Sequence, residues 1–409
     1  MKNFYGLRDT FPHRDRASQQ FEAKRISGRA VKCLVLAMAA LFILFNTNSF
    51  LLGAKIEGIE IITFAPGIDQ EPLLEAVDFC VTDDELFVIP DMEAVNIKIY
   101  EKNGEFLKLL KITGQRGYGA DEFIRPAFCS YYKEANRFAV MDFWVRKIFI
   151  YDRIGRIDLK RVQELSCLGR GFDIQLMSNK VFISGHIDSS NNEPFGFYHI
   201  DLTNNQTTLL LPSCRKYGLN STKEFEIEYM GKQVLPAIRL KGFFDIDKDY
   251  AYYIWEGNLK VLKININTGE ISSNFSSQKS IHYVKPFASQ KLFESYKTMN
   301  IKEVETEKAK MSYIKDIFAT SKWIMVIYEG PLDPVSGPNS RIQFYTLDGV
   351  FIKEETIPGQ PDHRMWFDKG RSILYSLSRE EGKTGQYFIS KYKIEFPTVK
   401  TKKEASFQK

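Results

Sequence analysis

The sequence predicts an all-β fold: a six-bladed β-propeller closed by an N-terminal strand and preceded by one transmembrane or signal helix. Three observations predict it. From about residue 56, aromatic and β-branched runs of four to eight residues alternate with Gly, Asn and Asp turns. Two long segments repeat with matched internal spacing. Near the start, an unbroken apolar run follows a cluster of bases.

The apolar run is Cys33 to Phe45, with Lys24, Arg25, Arg29 and Lys32 just before it. Its thirteen residues suit a signal-peptide core; extended through Leu52 the stretch reaches twenty, enough to span a bilayer as a helix. The flanking bases place the N-terminus in the cytoplasm and everything beyond residue 53 outside it. Residues 1–32 are then a cytoplasmic basic leader, and 33–53 a signal-anchor or signal-peptide helix. The long leader favours an uncleaved anchor, and Thr47-Asn48-Ser49 is the weak cleavage site. Cys33 precedes the apolar core, which argues against a lipoprotein signal.

The repeat is clearest between the segments beginning at Phe79 and at Phe128. Asp91 to Tyr100 spans nine residues, as does Asp142 to Tyr151; Tyr100 to Gly104 spans four, as does Tyr151 to Gly155. Each segment reads as an apolar strand, a turn, a strand ending in Asp, an alternating strand, a Gly turn and a last strand. That is a four-stranded antiparallel meander, one propeller blade. Weaker copies begin at Phe172, Phe244, Lys315 and Trp366. The sixth copy lacks a clear fourth strand, and the spare strand Lys55 to Phe64 would complete it and close the ring. Two β-sandwiches are the competing architecture, but they give no reason for matched spacings. The propeller takes up 55–396, with charged insertions near 213–236 and 277–312, and 397–409 reads as a disordered basic tail.

Gly114-Gln115-Arg116-Gly117-Tyr118-Gly119, then Glu122-Phe123 and Pro126, lead into the second unit, where Asp142, Ile148, Tyr151-Asp152 and Gly155 follow. This unit resembles the NHL repeat, and the body is similar to exported six-bladed propellers of the NHL/TolB-like kind. The resemblance implies a six-bladed propeller. It implies no single chemistry, because that fold carries binding modules, lactonases and lyases alike.

Charge narrows the partners. Of 56 Lys/Arg and 51 Asp/Glu, eight bases and three acids fall in residues 1–53, so the body is neutral. A neutral body excludes a nucleic-acid partner, which needs a clustered basic face. The five cysteines form no C-x-x-C, and Cys80 and Cys129 occupy matching apolar contexts that read as buried positions on equivalent strands. The string GQRGYG is followed by Pro126 and another strand, so it reads as an inter-blade turn and not a phosphate loop.

Candidate site residues follow from propeller geometry. Loops between second and third strands share one face with the inter-blade loops. That face would gather Arg116, Tyr118, Trp144, Arg146, His186, Asp188, Trp255, Glu256 and Glu329, a mixture of rings and charges suited to a peptide or sugar. An acid recurs at the first strand of four units: Asp78, Asp173, Asp245 and Asp316. These carboxylates either lock blade to blade through backbone N–H groups or hold a hard cation, for which calcium is the fitting ion. No G-x-S-x-G elbow or other nucleophile constellation is present. The expected function is an extracytoplasmic, membrane-anchored binding or scaffolding module. It would hold a peptide, carbohydrate or protein at the channel mouth and need no cofactor. The alternative is a metal-dependent propeller enzyme, a lactonase-like hydrolase or a lyase. The expected location is the periplasmic or cell-surface side of a membrane held through 33–53, or secretion after cleavage.

Overall fold

In the computed structural model, the described residues are 55–65, 71–119, 122–187, 195–211, 227–229, 232–234, 241–255, 258–276, 280, 282–284, 290–298, 300–332, 340–359, 364–380 and 385–397. The leader 1–32, the apolar segment 33–53 and the tail beyond Pro397 lie outside them. Among the described residues, no helix is long and apolar enough to cross a membrane.

The first strand, β1 (Lys55–Phe64), is followed by a unit of β2 (Cys80–Val81), β3 (Leu86–Asp91), β4 (Asn96–Asn103) and β5 (Phe106–Thr113). Two short strands, β6 (Gln115–Arg116) and β7 (Glu122–Phe123), pair in parallel across the glycine-rich lead. The second unit is β8 (Pro126–Tyr132), β9 (Arg137–Asp142), β10 (Lys147–Ile154) and β11 (Asp158–Ser166). The third is β12 (Gly169–Met177), β13 (Lys180–Ile187), β14 (Phe195–Asp201) and β15 (Thr207–Leu211). A hairpin of β16 (Ile227–Tyr229) and β17 (Lys232–Val234) falls in the first insertion. The fourth unit is β18 (Gly242–Asp247), β19 (Tyr250–Trp255), β20 (Asn258–Asn265) and β21 (Ile271–Ser276). Helices Gln290–Lys297 and Ile301–Lys308 occupy the second insertion. The fifth unit is β22 (Tyr313–Ala319), β23 (Trp323–Glu329), β24 (Ser340–Thr346) and β25 (Phe351–Thr356), and β26 (Met365–Asp368), β27 (Ile373–Arg379) and β28 (Tyr387–Glu395) end the chain of strands.

Units two to five are separate four-stranded antiparallel sheets in sequence order. The first and last share one eight-stranded sheet, ordered β2-β3-β4-β5-β1-β28-β27-β26. Here β1 runs antiparallel to β28 from Lys55↔Glu395 to Thr63↔Phe388, and it touches β5 in parallel at Thr63↔Phe106 and Phe64↔Leu107. The spare N-terminal strand thus completes the last unit, as its sequence position suggested.

Apolar seams join consecutive units. Cys80, Val88 and Ile97 of the first pack with Cys129, Val140 and Tyr151 of the second. Ile62, Phe79 and Tyr100 pack with Tyr375, Leu377 and Ile389, so the last unit seals onto the first. Meanders covered on both faces read as continuous apolar runs, which is why all six residues of β3 are buried. Each large side chain so buried stabilises the fold by about 1.5–3 kcal/mol before chain entropy is subtracted. Cys80 and Cys129 are buried free thiols in one seam. The architecture is all-β and consistent with a β-propeller.

The strand-ending aspartates explain the matched spacing. Asp91 is fully buried and accepts the N–H groups of Leu74 (2.8 Å), Glu75 (3.0 Å) and Ala94 (3.1 Å). Asp142, also fully buried, accepts those of Ile124 (2.7 Å), Arg125 (3.0 Å), Trp144 (3.0 Å) and Val145 (3.3 Å). Each carboxylate ties the inter-unit loop to the turn after the second strand. That turn places Val95 (φ 59°) and Arg146 (φ 58°) at the same left-handed position.

Candidate functional site

The inner strands β2, β8, β12, β18, β22 and β26 bring the repeated aspartates together. Three of the four make an inter-unit bond: Cys129 donates its N–H to Asp78 (2.9 Å), Phe244 to Asp173 (3.0 Å) and Ala319 to Asp245 (2.7 Å). In the second unit Ser130 takes this part, its Oγ accepting from Leu176 N–H at 2.9 Å. Among the described residues, Asp316 accepts a backbone hydrogen bond from its neighbour Ile317 alone, at 2.9 Å.

A guanidinium occupies the place where a metal ion was the sequence-level alternative. Arg364 Nε lies 3.5 Å from Asp78 Oδ1 and 3.6 Å from Asp316 Oδ2, and its Nη2 donates to Asp173 Oδ1. The guanidinium also sits 5.3 Å from the centroid of the Phe243 ring. Asp245 stands apart, paired with Lys369 Nζ at 2.9 Å. Among the described residues, no group of three or more His, Cys, Asp or Glu is arranged to hold a metal ion.

Three carboxylates share one guanidinium at a buried site, so the ionised forms are disfavoured. Burial pushes Asp78 up to about 7 and Asp173 up to about 6, against the pull of Arg364. Burial holds Asp316 well above the usual carboxylate range. Burial disfavours the Arg364 cation, but Asp173, Asp316 and Asp78 together raise its proton affinity above the ordinary arginine value.

Arg364 separates two vestibules, and it is the one residue that lines both. The upper one opens among the inter-unit loops and the turns after second strands, and has a volume of about 380 Å³. Its walls carry Phe128, Phe143, Phe172 and Phe243. Arg125, Lys241, Lys315 and Arg364 face Glu75 as the lone acid of that lining. Arg125 Nη2 pairs with Glu75 at 3.2 Å, and Lys315 with Glu329 at 2.5 Å. The lower vestibule, about 880 Å³, opens among the turns after first strands, at Asp83, Lys133 and Lys369.

The described members of the nine loop residues expected at the upper face scatter. Arg116 lies on β6 and Tyr118 just after it, both outside the pocket lining and Tyr118 highly exposed. Their loop is closed by Glu122, which accepts from Gly119 N–H (2.5 Å) and Gln115 Nε2 (3.1 Å). A Cβ on Gly117 would come within 2.0 Å of that carboxylate, so this glycine allows the closure. The loop's own acid takes up its donors, as suits an inter-unit turn. Trp144 is half-exposed at the rim beside Phe143, with Arg170 5.7 Å from its ring and 5.5 Å from the Phe143 ring. Arg146 holds the turn noted above. Trp255 is buried in the seam between the third and fourth units. Glu329 reaches the pocket through Lys315. The backbone of His186 pairs with Arg170, while its side chain, Asp188 and Glu256 lie outside the described residues.

The bases of the upper vestibule carry a signal in the sequence. Arg125, Lys241 and Arg364 directly precede inner strands, Lys315 directly precedes Asp316, and Arg170 stands three residues before Asp173. A base therefore recurs at or just before the start of the inner strand in each of the last five units, and Glu75 precedes the inner strand of the first.

No protein-family model matches the chain, and no curated protein matches its sequence. The likeness to the NHL repeat therefore rests on its motif residues. Solved structures do match. A member of the DUF4221 family from Bacteroides vulgatus ATCC 8482 is 11% identical, with a TM-score of 0.57 over 84% of this chain and 98% of that one. A protein named for its inferred export, from Bacteroides fragilis NCTC 9343, is 12% identical, with a TM-score of 0.50 over 84% of this chain and 96% of that one. At these identities the likeness shows a shared fold. A calcium-binding regucalcin from Agrobacterium tumefaciens C58 matches at a TM-score of 0.42, with 11% identity over 81% of this chain and 95% of that one. That likeness carries no argument about a metal here.

Proposed function

We propose that the chain is an extracytoplasmic six-bladed propeller, anchored through residues 33–53, that binds a peptide or carbohydrate bearing an acidic group in its upper vestibule. The blade count takes the eight-stranded sheet as two four-stranded blades, supported by seams that run from unit to unit and return from last to first. The location is supported by the basic leader with its apolar run, and by the inferred export of the Bacteroides fragilis relative in fold.

One observation carries the binding reading: four phenylalanines and four bases converge on a pocket of about 380 Å³ at the channel mouth. Apolar walls with a few convergent polar groups are the ordinary composition of a ligand site. Arg125 contacts Glu75 through Nη2, which leaves the rest of its fork to meet a carboxylate.

The test is a thermal-shift panel of peptides and oligosaccharides, each with and without a carboxylate, on the full chain in a nonionic detergent. Acidic members should stabilise the protein, and Phe143→Ala together with Arg125→Ala should abolish that shift. No shift from any member, or shifts that survive both substitutions, would refute the reading. The location is read separately by protease access to the body in intact cells.

A further inference from the structure

The lower vestibule carries an unbalanced charge. Its floor holds Asp78, Asp173, Asp245 and Asp316 against two cations, Arg364 and Lys369. Asp245 is well satisfied, accepting from Ala319 N–H (2.7 Å), Ile246 N–H (2.8 Å), Gln175 Nε2 (3.1 Å) and Lys369. Asp316 is not. Its side chain is buried, its Oδ2 accepts no hydrogen bond, and its ion pair with Arg364 Nε is 3.6 Å long. Gln175 Oε1 is a second buried acceptor without a donor, in the same cavity.

Orphan buried acceptors are costly, and a carboxylate most of all. Two such acceptors, in a floor with four carboxyls against two bases, call for a donor-rich cation. The walls suit its body, because Tyr131, Phe318, Trp366 and Phe367 line the cavity and offer ring faces to a cation and apolar surface to a carbon skeleton. At about 880 Å³ the cavity accommodates an amine much larger than a single ion.

We infer that the lower vestibule is a second binding site, for an organic ammonium ion whose charged head answers Asp316 and whose apolar body lies against the aromatic wall. The upper and lower linings share Arg364 alone, so this inference stands apart from the upper-pocket reading.

The experiment uses one skeleton with opposite charges: phenethylamine and 3-phenylpropionate, titrated by calorimetry at pH 8 into the full chain in a nonionic detergent. The amine should bind saturably, and Asp316→Asn should weaken it at least about ten-fold, equivalent to about 1.4 kcal/mol. The asparagine keeps the shape and replaces a poorly answered buried carboxyl, so the variant should fold. Gln175→Leu, which touches a different residue, should weaken the amine several-fold. Binding of 3-phenylpropionate should be unaffected by either substitution. An amine that does not saturate, or whose affinity in both variants equals that of wild type, overturns the inference and leaves Asp316 answered by a proton or water.

Discussion

At the ends of β3 and β9, Asp91 and Asp142 each draw backbone N–H groups from two loops at once. At the first strands of the first, third and fifth units, Asp78, Asp173 and Asp316 crowd one guanidinium. Both sets are buried aspartates at repeating positions, yet their electrostatics diverge. For Asp91, burial opposes ionisation, but Lys98 and three amides outweigh it and hold the carboxyl below its usual range. For the channel set, burial prevails over the shared Arg364 and the carboxyls rise. The lesson is stoichiometric. A buried carboxylate with its own cation and donors is a structural tie, whereas three sharing one cation retain a demand that a proton or a ligand must meet.

The largest expected effect comes from breaking the tie. Asp91→Ala would leave Lys98, whose ammonium is buried 2.8 Å from that carboxylate, with only Glu71 at 3.4 Å and the Pro72 carbonyl, would orphan three backbone N–H groups, and should cost about 3 kcal/mol in denaturant unfolding. The second unit shows the remedy: the residue seven beyond Asp142 is Phe149, where the first unit has Lys98. Adding Lys98→Phe to Asp91→Ala should recover much of the loss, because the stranded charge is gone. Equal losses in the single and double variants would break the comparison at its first side.

The pH dependence sharpens it next. Asp78 and Asp173 bind protons more tightly when folded, so their contribution to stability is fully present below about pH 4. It is lost as pH rises through about 6 to 7. The groups facing them are Arg364, Asp316, Asp245, Lys369 and the buried Cys129 thiol. Asp91 works in the opposite sense, its contribution being present above the usual carboxylate range and lost as pH falls. Asp78→Asn should therefore flatten the stability profile between pH 4 and 7 by an amount on the order of a few kcal/mol. A wild-type profile that is flat there would contradict the channel assignment.

The smallest effect is one of sign. Asp316→Asn should be neutral or stabilising by about 1 kcal/mol at pH 8, since it replaces a buried carboxyl whose Oδ2 has no hydrogen-bond partner. The same exchange at Asp91 should destabilise by about 2 kcal/mol, since the amide answers Lys98 poorly. Matching signs in thermal melts would erase the distinction.

The sequence made the scaffold legible because repetition is a scaffold property. The spacing from Asp91 to Tyr100 matches that from Asp142 to Tyr151 because both aspartates close the same turn. The strand Lys55–Phe64 was legible because the sixth copy lacked one. The channel was less so. Its aspartates showed their register and the inter-unit bonds that three of them make, but the partner their carboxyls share, Arg364, stands singly ahead of the last copy, where repetition does not mark it. The upper pocket was expected in the turns after second strands and the inter-unit loops, through other residues. Its bases stand at or just before the start of the inner strands, where a recurring Arg or Lys was the available signal. Trp255 misled because an aromatic at a strand end reads alike whether it packs in a seam or meets a ligand.

The most direct measurement of the central claim is difference infrared spectroscopy of wild type and Asp78→Asn across pH. The account predicts a protonated carboxyl band at pH 6, diminished by Asp78→Asn and weakened in wild type as pH rises to 9. Identical carboxyl regions in the two proteins at pH 6, with every carboxylate ionised, would contradict it.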